Sequence, residues 1–247
     1  MIRCATIDGE QAHRRHLATP SGTGYWRSDL LISDVADSPA PQAFLIQQDP
    51  QTLIGSHFHE QDQFQVVAEG GGSIGRHPLT PLSVHYASRY TGYGPIVSGG
   101  DGLSYFTFRA VTTPYAHFLP EAREKMRDVP RRNLLGRVAT LSGTDALRAR
   151  SKTAVETLIE AQPDGVAAWL ERLPPGARGG GVDAAPRSDR FYLVCEGAMS
   201  ACGSRLPRFA TAFVSADERD FPIVAGAEGL EVLVLQFPNS VSAKPAP

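Results

Sequence analysis

The chain has 247 residues, 42% of them hydrophobic, and a formal net charge of −2. That is enough apolar material for one large domain or two small ones, and it excludes global disorder. The near-neutral balance, with arginines scattered as Arg14-Arg15 and Arg131-Arg132 rather than striped, argues against a nucleic-acid footprint.

Residues 1–24 are polar and irregular and read as a solvated segment carrying His13, Arg14, Arg15 and His16. The N-terminus lacks the apolar run of a signal peptide, and no stretch approaches about 18 apolar residues, so a cytoplasmic protein with no membrane partner is expected. The three cysteines, Cys4, Cys195 and Cys202, suggest neither a disulfide framework nor a Cys-x-x-Cys zinc site. From Tyr25 the texture is β-like. Strands are predicted over 25–33, 43–48 and 51–59, with Asp49-Pro50 as a turn, then over 64–69, 73–77, 83–88 and 103–111. Gly70-Gly71-Gly72 reads as the turn between two of these. Pro120 followed by good helix formers predicts a helix over 120–128, and residues 143–155 suggest another. Strand texture returns over 157–161, 165–171, 190–196, 211–215 and 230–237, and residues 239–247 read as a loose tail.

An internal repeat organises these elements. Pro95-Ile-Val-Ser-Gly-Gly-Asp-Gly-Leu103 recurs as Pro222-Ile-Val-Ala-Gly-Ala-Glu-Gly-Leu230, 127 positions later. The same spacing aligns Phe64 with Phe191, Val67 with Val194, Glu69-Gly70 with Glu196-Gly197, and Ser88 with Ser215. One offset held over such a length implies two copies of one β-domain. The expected division is a first domain over 1–118, a partly helical connector over 119–154, a second domain over 155–238 and the tail.

The chemistry concentrates in Gly55-Ser-His57-Phe-His59-Glu-Gln-Asp-Gln63, which leads into a β-rich run ending at Gly70. Residues two apart in a strand point the same way, with Cα atoms about 6.5–7 Å apart. Both imidazoles can then converge on one ion. On the following strand Gln63, Gln65 and Val67 share a face. Val84 and Tyr86 are expected to share the inward face of a later strand, which would turn His85 outward.

These residues resemble the first motif of the cupin family. His57-x-His59, then three residues, then Gln63 in place of glutamate, then six residues and Gly70 follow its pattern, although Gln51 stands where its opening glycine belongs. In the second motif Gly75 and Pro81 fit, whereas Ser83 replaces glycine, Tyr86 replaces histidine and Tyr90 replaces asparagine. The resemblance implies a mainly β chain of two cupin-type barrels (double-stranded β-helix, jelly-roll), joined by a short, partly helical connector. It implies one divalent metal ion (Fe, Mn, Ni, Cu or Zn) on His57, His59 and Gln63, with Tyr86 at the fourth ligand position, open to ligate, to act as a catalytic acid or base, or to face the cavity, and His85 as its possible replacement; Gln65, on the face of Gln63, is the other catalytic candidate. Tyr90 and Tyr93, on a glycine-rich aromatic loop, and Arg109, able to meet a carboxylate, are the candidate substrate contacts. Tyr105, Arg76 and His77 are weaker ones.

The second copy lacks these ligands: His57 aligns with Ala184, His59 with Pro186, Gln63 with Arg190 and Tyr86 with Phe213. The expected function is a metal-dependent cupin enzyme acting on a small organic molecule. An open redox-metal site suits O₂ and a bidentate substrate, so a ring- or C–C-cleaving dioxygenase comes first. The alternatives are non-redox hydrolase, lyase or isomerase chemistry, or a barrel that binds a small ligand without turning it over. A homodimer is the family-based expectation.

Overall fold

The strand expected to stop at Glu69 runs on as Gln63–Ile74, straight through the three glycines. Its neighbour Ile96–Arg109 is longer still, at 14 residues, and carries glycines of its own. Where the two meet, Gly70 adopts a φ of 73°, and a Cβ there would lie 2.3 Å from the Gly102 carbonyl oxygen. Only glycine fits that conformation and that close approach. The chain reverses later, at Gly75 (φ 55°), into the strand His77–Leu79.

The computed structural model describes residues 1–7, 13–33, 35, 38–113, 115–179, 188–218 and 221–239. It is mainly β and divides into two compact units: Glu10–Val138, and Met1–Gly9 together with Ala139–Pro247. In the first unit one nine-stranded antiparallel sheet runs in the order Asn133–Leu135, Val84–Ala87, Gln63–Ile74, Ile96–Arg109, Gln42–Gln48, Gly24–Leu31, Arg15–Ala18. Leu53–Ile54 and His77–Leu79 join it off this path, and His57–Phe58 pairs with His117–Phe118 as a separate ribbon. Phe44, Ile46, Ile54, Val67, Ile74 and Tyr105 form a buried apolar cluster within this unit.

In the second unit an eight-stranded sheet is built around Ser188–Ala201 and Ile223–Asn239. The repeat is visible in its register: Phe64 lies opposite Phe108 as Phe191 lies opposite Leu235, and Gly70 opposite Leu103 as Gly197 opposite Leu230. Gly197 keeps the positive φ, at 76°.

Several expected elements differ. The 51–59 strand breaks into Leu53–Ile54 and His57–Phe58. The 120–128 helix shrinks to a single 3₁₀ turn, Arg123–Lys125, with no buried residue. That stretch has no apolar stripe to bury, and short helices are not stable on propensity alone. The second helix is only Thr144–Arg148, anchored by buried Leu147. The division also differs from the expected one. Ile2–Ala5 pairs antiparallel with Thr211–Val214, which places the N-terminus in the second unit. Asn133–Leu135, expected in the connector, is a strand of the first unit. Cys4 and Cys202 form a disulfide, which no local spacing announces at a separation of 198 residues. Cys195 is a buried free thiol, pushed up to about 12 by burial. Among the described residues no helix is long and apolar enough to cross a membrane.

Candidate functional site

Along Gln63–Ile74 the side chains alternate as a strand dictates. Phe64 and Val66, both fully buried, take one face, while Gln65 and Val67 take the other. Phe64 pairs across the sheet with Tyr86, and Gln65 with His85. The cavity lies on the Gln65 side. It holds about 100 Å³ and is lined by His57, His59, Gln65, Tyr93, Tyr105 and Arg109, with Tyr25, Arg27, Phe44, Ile46, Ile54 and Phe118 among its other walls.

The two histidines do sit side by side, with ring centroids 5.3 Å apart. Each is anchored from behind by the main chain: His57 Nδ1 is 2.8 Å from the Gly55 carbonyl and His59 Nδ1 is 2.8 Å from the Tyr115 carbonyl. A carbonyl only accepts, so both Nδ1 atoms carry hydrogen and both Nε2 lone pairs face inward. Burial holds His57 down to about 4, with the Arg109 charge adding to the effect and the Gly55 bond opposing it. His59 is held well below the usual histidine range by burial and then by Arg109.

Those lone pairs already have partners. The Tyr93 hydroxyl donates to His57 Nε2 at 2.8 Å and accepts from Gln63 Nε2 at 2.5 Å. Arg109 donates from Nη2 to His59 Nε2 at 3.1 Å. It also donates from Nε and Nη2 to Gln63 Oε1 at 3.1 and 2.9 Å, and from Nη1 to Gln42 Oε1 at 2.7 Å. Tyr93 is held in place by its main chain, which exchanges hydrogen bonds of 3.0 Å with His57 in both directions. The network runs one way, from Gln63 to Tyr93 to His57 and from Arg109 to His59.

This donor set does not fit a divalent metal in the arrangement observed. His57, His59 and Gln63 are neutral, and a guanidinium lies within hydrogen-bond distance of two of the three donor atoms. Among the described residues no group of three or more His, Cys, Asp or Glu is placed to hold an ion. A divalent cation would have to displace Arg109 against its charge, with no carboxylate among the described residues to help.

The structure therefore gathers His57, His59, Gln63, Gln65, Tyr93 and Arg109, and separates Tyr86 and Tyr90 from them. Tyr86 was expected to face inward; it is on the opposite face, packed on Phe64 at 4.9 Å, with its hydroxyl donating to Asp62 Oδ1 at 2.8 Å. His85, expected to point outward, instead faces the cavity side, with Nδ1 2.9 Å from Gln65 Oε1 and Nε2 3.1 Å from Asn133 Oδ1. The second copy carried the signal for this inversion. Phe213 replaces Tyr86 and packs on Phe191 at 5.0 Å, so the position belongs to the core. Tyr90 directs its hydroxyl to Glu60 Oε2 at 3.3 Å, away from the cavity. Arg76 and His77 are exposed at a hairpin end. Gln42 and the Tyr115 carbonyl were not anticipated; Gln42 follows from the register, which places it directly opposite Arg109. In the second unit Ala184 and Pro186 lie outside the described residues, while Gln236 stands at the position of Arg109 and bonds the Gly165 carbonyl at 2.6 Å.

No family model and no curated relative matches the sequence. Solved structures do match it. Bacterial pirin YhhW from Escherichia coli, in complex with nickel(II), is 16% identical with a TM-score of 0.57, covering 97% of this chain and 100% of that one. An oxalate decarboxylase from Lactobacillus farciminis, a formate complex, is 10% identical with a TM-score of 0.58, covering 92% of this chain and 85% of that one. Quercetin 2,3-dioxygenase from Acinetobacter baumannii is 12% identical with a TM-score of 0.52, covering 97% of this chain and 79% of that one.

Proposed function

We propose that this chain, whose fold is that of the cupin superfamily, is a non-redox enzyme acting on a small organic molecule by proton transfer in the first unit. The observation that carries the reading is the Tyr93 hydroxyl, which bridges Gln63 and His57 at the cavity wall beside Arg109. A neutral His57 with its lone pair on that hydroxyl is a base, and Tyr93 is the relay that reaches the cavity. A carbon acid in the cavity gives its proton to the Tyr93 oxygen as the phenolic proton moves to His57 Nε2, whose basicity, held down by burial, rises as the substrate becomes an anion beside it. The negative charge left on the substrate lies next to the Arg109 guanidinium. The reverse transfer, to another carbon, gives isomerisation; expulsion of a leaving group gives a lyase.

A metal-dependent dioxygenase is the second reading. The nickel-bound pirin and the quercetin dioxygenase of similar fold support it, and so do the two Nδ1 anchors, which orient histidines as metal sites do. It requires Arg109 to leave His59 and Gln63. Both readings meet in one experiment. Chelator-treated protein is incubated in D₂O with acetone, pyruvate and 2-oxobutyrate, and C–H exchange above the uncatalysed rate is followed by NMR. Exchange without added metal that disappears in Tyr93→Phe supports proton transfer. Exchange that needs a divalent metal and ignores Tyr93→Phe replaces it with the metal reading. No exchange with any substrate overturns proton transfer, and oxygen consumption with added metal then separates a dioxygenase from a binding barrel.

A further inference from the structure

Arg109 is 3% exposed, and each of its four hydrogen bonds ends on a neutral acceptor: Gln42, Gln63 twice, and His59. Among the described residues no carboxylate is its partner, and none lines the cavity. A buried charge without a counter-ion is costly, and burial draws this guanidinium down to about 10. A second guanidinium, Arg27, lines the same cavity, stacked 3.7 Å above the Phe44 ring. Its charge is already matched by fully buried Asp29, 2.6 Å away. Arg15 shares that carboxylate too, but is half exposed and screened by water. The cavity therefore holds one net positive charge that the described residues do not balance.

We infer that the cavity takes a small monocarboxylate, with Arg109 as its counter-ion; the assignment names the substrate class of the site proposed above and rests on that reading. Charge sets the number of negative charges at one. Size sets the class: a cavity of about 100 Å³ suits a small acid. The walls set the orientation. The four bonds use four of the five guanidinium N–H groups. The remaining one, on Nη1, is available to a carboxylate oxygen. Phe44, Ile46, Ile54 and Phe118 offer an apolar wall to a short alkyl or acyl tail. Tyr93 lines the same cavity, so a C–H on that tail can reach its hydroxyl.

The test is a binding measurement without turnover. Thermal unfolding is followed with sodium formate, acetate and propionate, against formamide, acetamide and propionamide and a sodium chloride control of equal ionic strength. The carboxylates are expected to raise Tm with concentration while amides and chloride do not, and Arg109→Gln is expected to lose at least tenfold in carboxylate affinity. Without ligand Arg109→Gln sheds the unbalanced charge but leaves His59, Gln63 and Gln42 short of donors, so the carboxylate-induced rise in Tm, and not Tm itself, is compared with the wild type. Should that variant fail to fold, Arg109→Lys keeps the charge, loses the fork, and should bind carboxylates about fivefold more weakly. Equal shifts from amides or chloride, or carboxylate binding that survives both substitutions, would overturn the inference. Carboxylate binding without proton exchange sinks only the catalytic reading. Exchange of acetone with no carboxylate preference sinks only this one.

Discussion

Arg109 Nη2 stands 3.1 Å from His59 Nε2, so a guanidinium occupies the lone pair that the imidazole would otherwise offer to a metal or a substrate. The pair is mutually selective. Arg109 can only donate, which requires His59 to stay neutral, and the Tyr115 carbonyl behind it requires the hydrogen on Nδ1. Protonating His59 would set two donors face to face in a buried site.

Stability should therefore depend on pH through the buried histidines. Burial lowers His57 and His85 to about 4 and His59 well below the ordinary value of 6.5. Above pH 6.5 all three are neutral whether the chain is folded or not. Below it the unfolded chain binds protons that the folded chain refuses, so stability falls as pH drops from 6.5 toward 4. The slope is about 1.4 kcal/mol per pH unit for each histidine fully affected. Urea midpoints at pH 7.5, 6.5, 5.5 and 4.5 should be level over the first two and drop over the rest. A flat profile would mean that these imidazoles are not buried neutral.

Two tyrosines distinguish the cavity from its surroundings. Tyr93→Phe removes the hydroxyl shared by His57 and Gln63 and leaves two buried polar atoms without it, at a cost of about 1–3 kcal/mol. Tyr86→Phe removes a hydroxyl on the far face that bonds Asp62, and copies the Phe213 of the second unit, so it should cost about 1 kcal/mol or less. Denaturation of both variants, together with acetate binding, checks this. If Tyr86→Phe impaired acetate binding as strongly as Tyr93→Phe, the assignment of faces would be wrong.

The inversion of Tyr86 and His85 shows where reading the sequence reaches its limit. Alternation along Val84–Ala87 was legible, since its period is fixed by the pleat, but its phase was not. The phase depends on which residue of the neighbouring strand each one meets, and here Gln65 meets His85. The His57–His59 pair was legible because both residues lie in one short segment, and the repeat because glycines at Gly70 and Gly197 are required by backbone geometry. Arg109 could be named but not weighed. Its meaning lies in the missing carboxylate, which is a property of everything packed around it. The strand Ile2–Ala5 and the Cys4–Cys202 disulfide were hidden for the same reason, as both join residues far apart in sequence.

The glycine bulge that shapes both sheets is open to a paired test. A Cβ at Gly70 would lie 2.3 Å from the Gly102 carbonyl oxygen, and one at Gly197 2.2 Å from that of Gly229. Left-handed backbone alone costs an ordinary residue about 1–2 kcal/mol, and the contact with main chain adds to it. Gly70→Ala and Gly197→Ala should each destabilise by about 2 kcal/mol or more. A loss below about 0.5 kcal/mol in either, by urea denaturation, would show that the bulge is not held as described.

The second unit treats buried charge in the opposite way, which gives the sharpest contrast with Arg109. Glu231 is fully buried, and its carboxylate accepts from Arg172 Nε at 3.0 Å, from the Ser142 hydroxyl at 2.7 Å and from the Ser142 main-chain N–H at 2.9 Å. Arg150 stands 3.7 Å away. The charge is matched within the unit, so nothing further is needed to hold it. Glu231→Ala removes a buried carboxylate that Arg172, Arg150 and Ser142 share, and should cost about 3 kcal/mol or more even though Arg172 keeps Glu156, 2.7 Å away. Arg109→Gln removes a cation without a counter-ion but leaves three buried acceptors short of donors, so it should cost clearly less than Glu231→Ala. Equilibrium denaturation of the two variants without ligand separates an ion held for structure from one held for a ligand. If Arg109→Gln were as destabilising as Glu231→Ala, Arg109 would be a structural residue of the first unit.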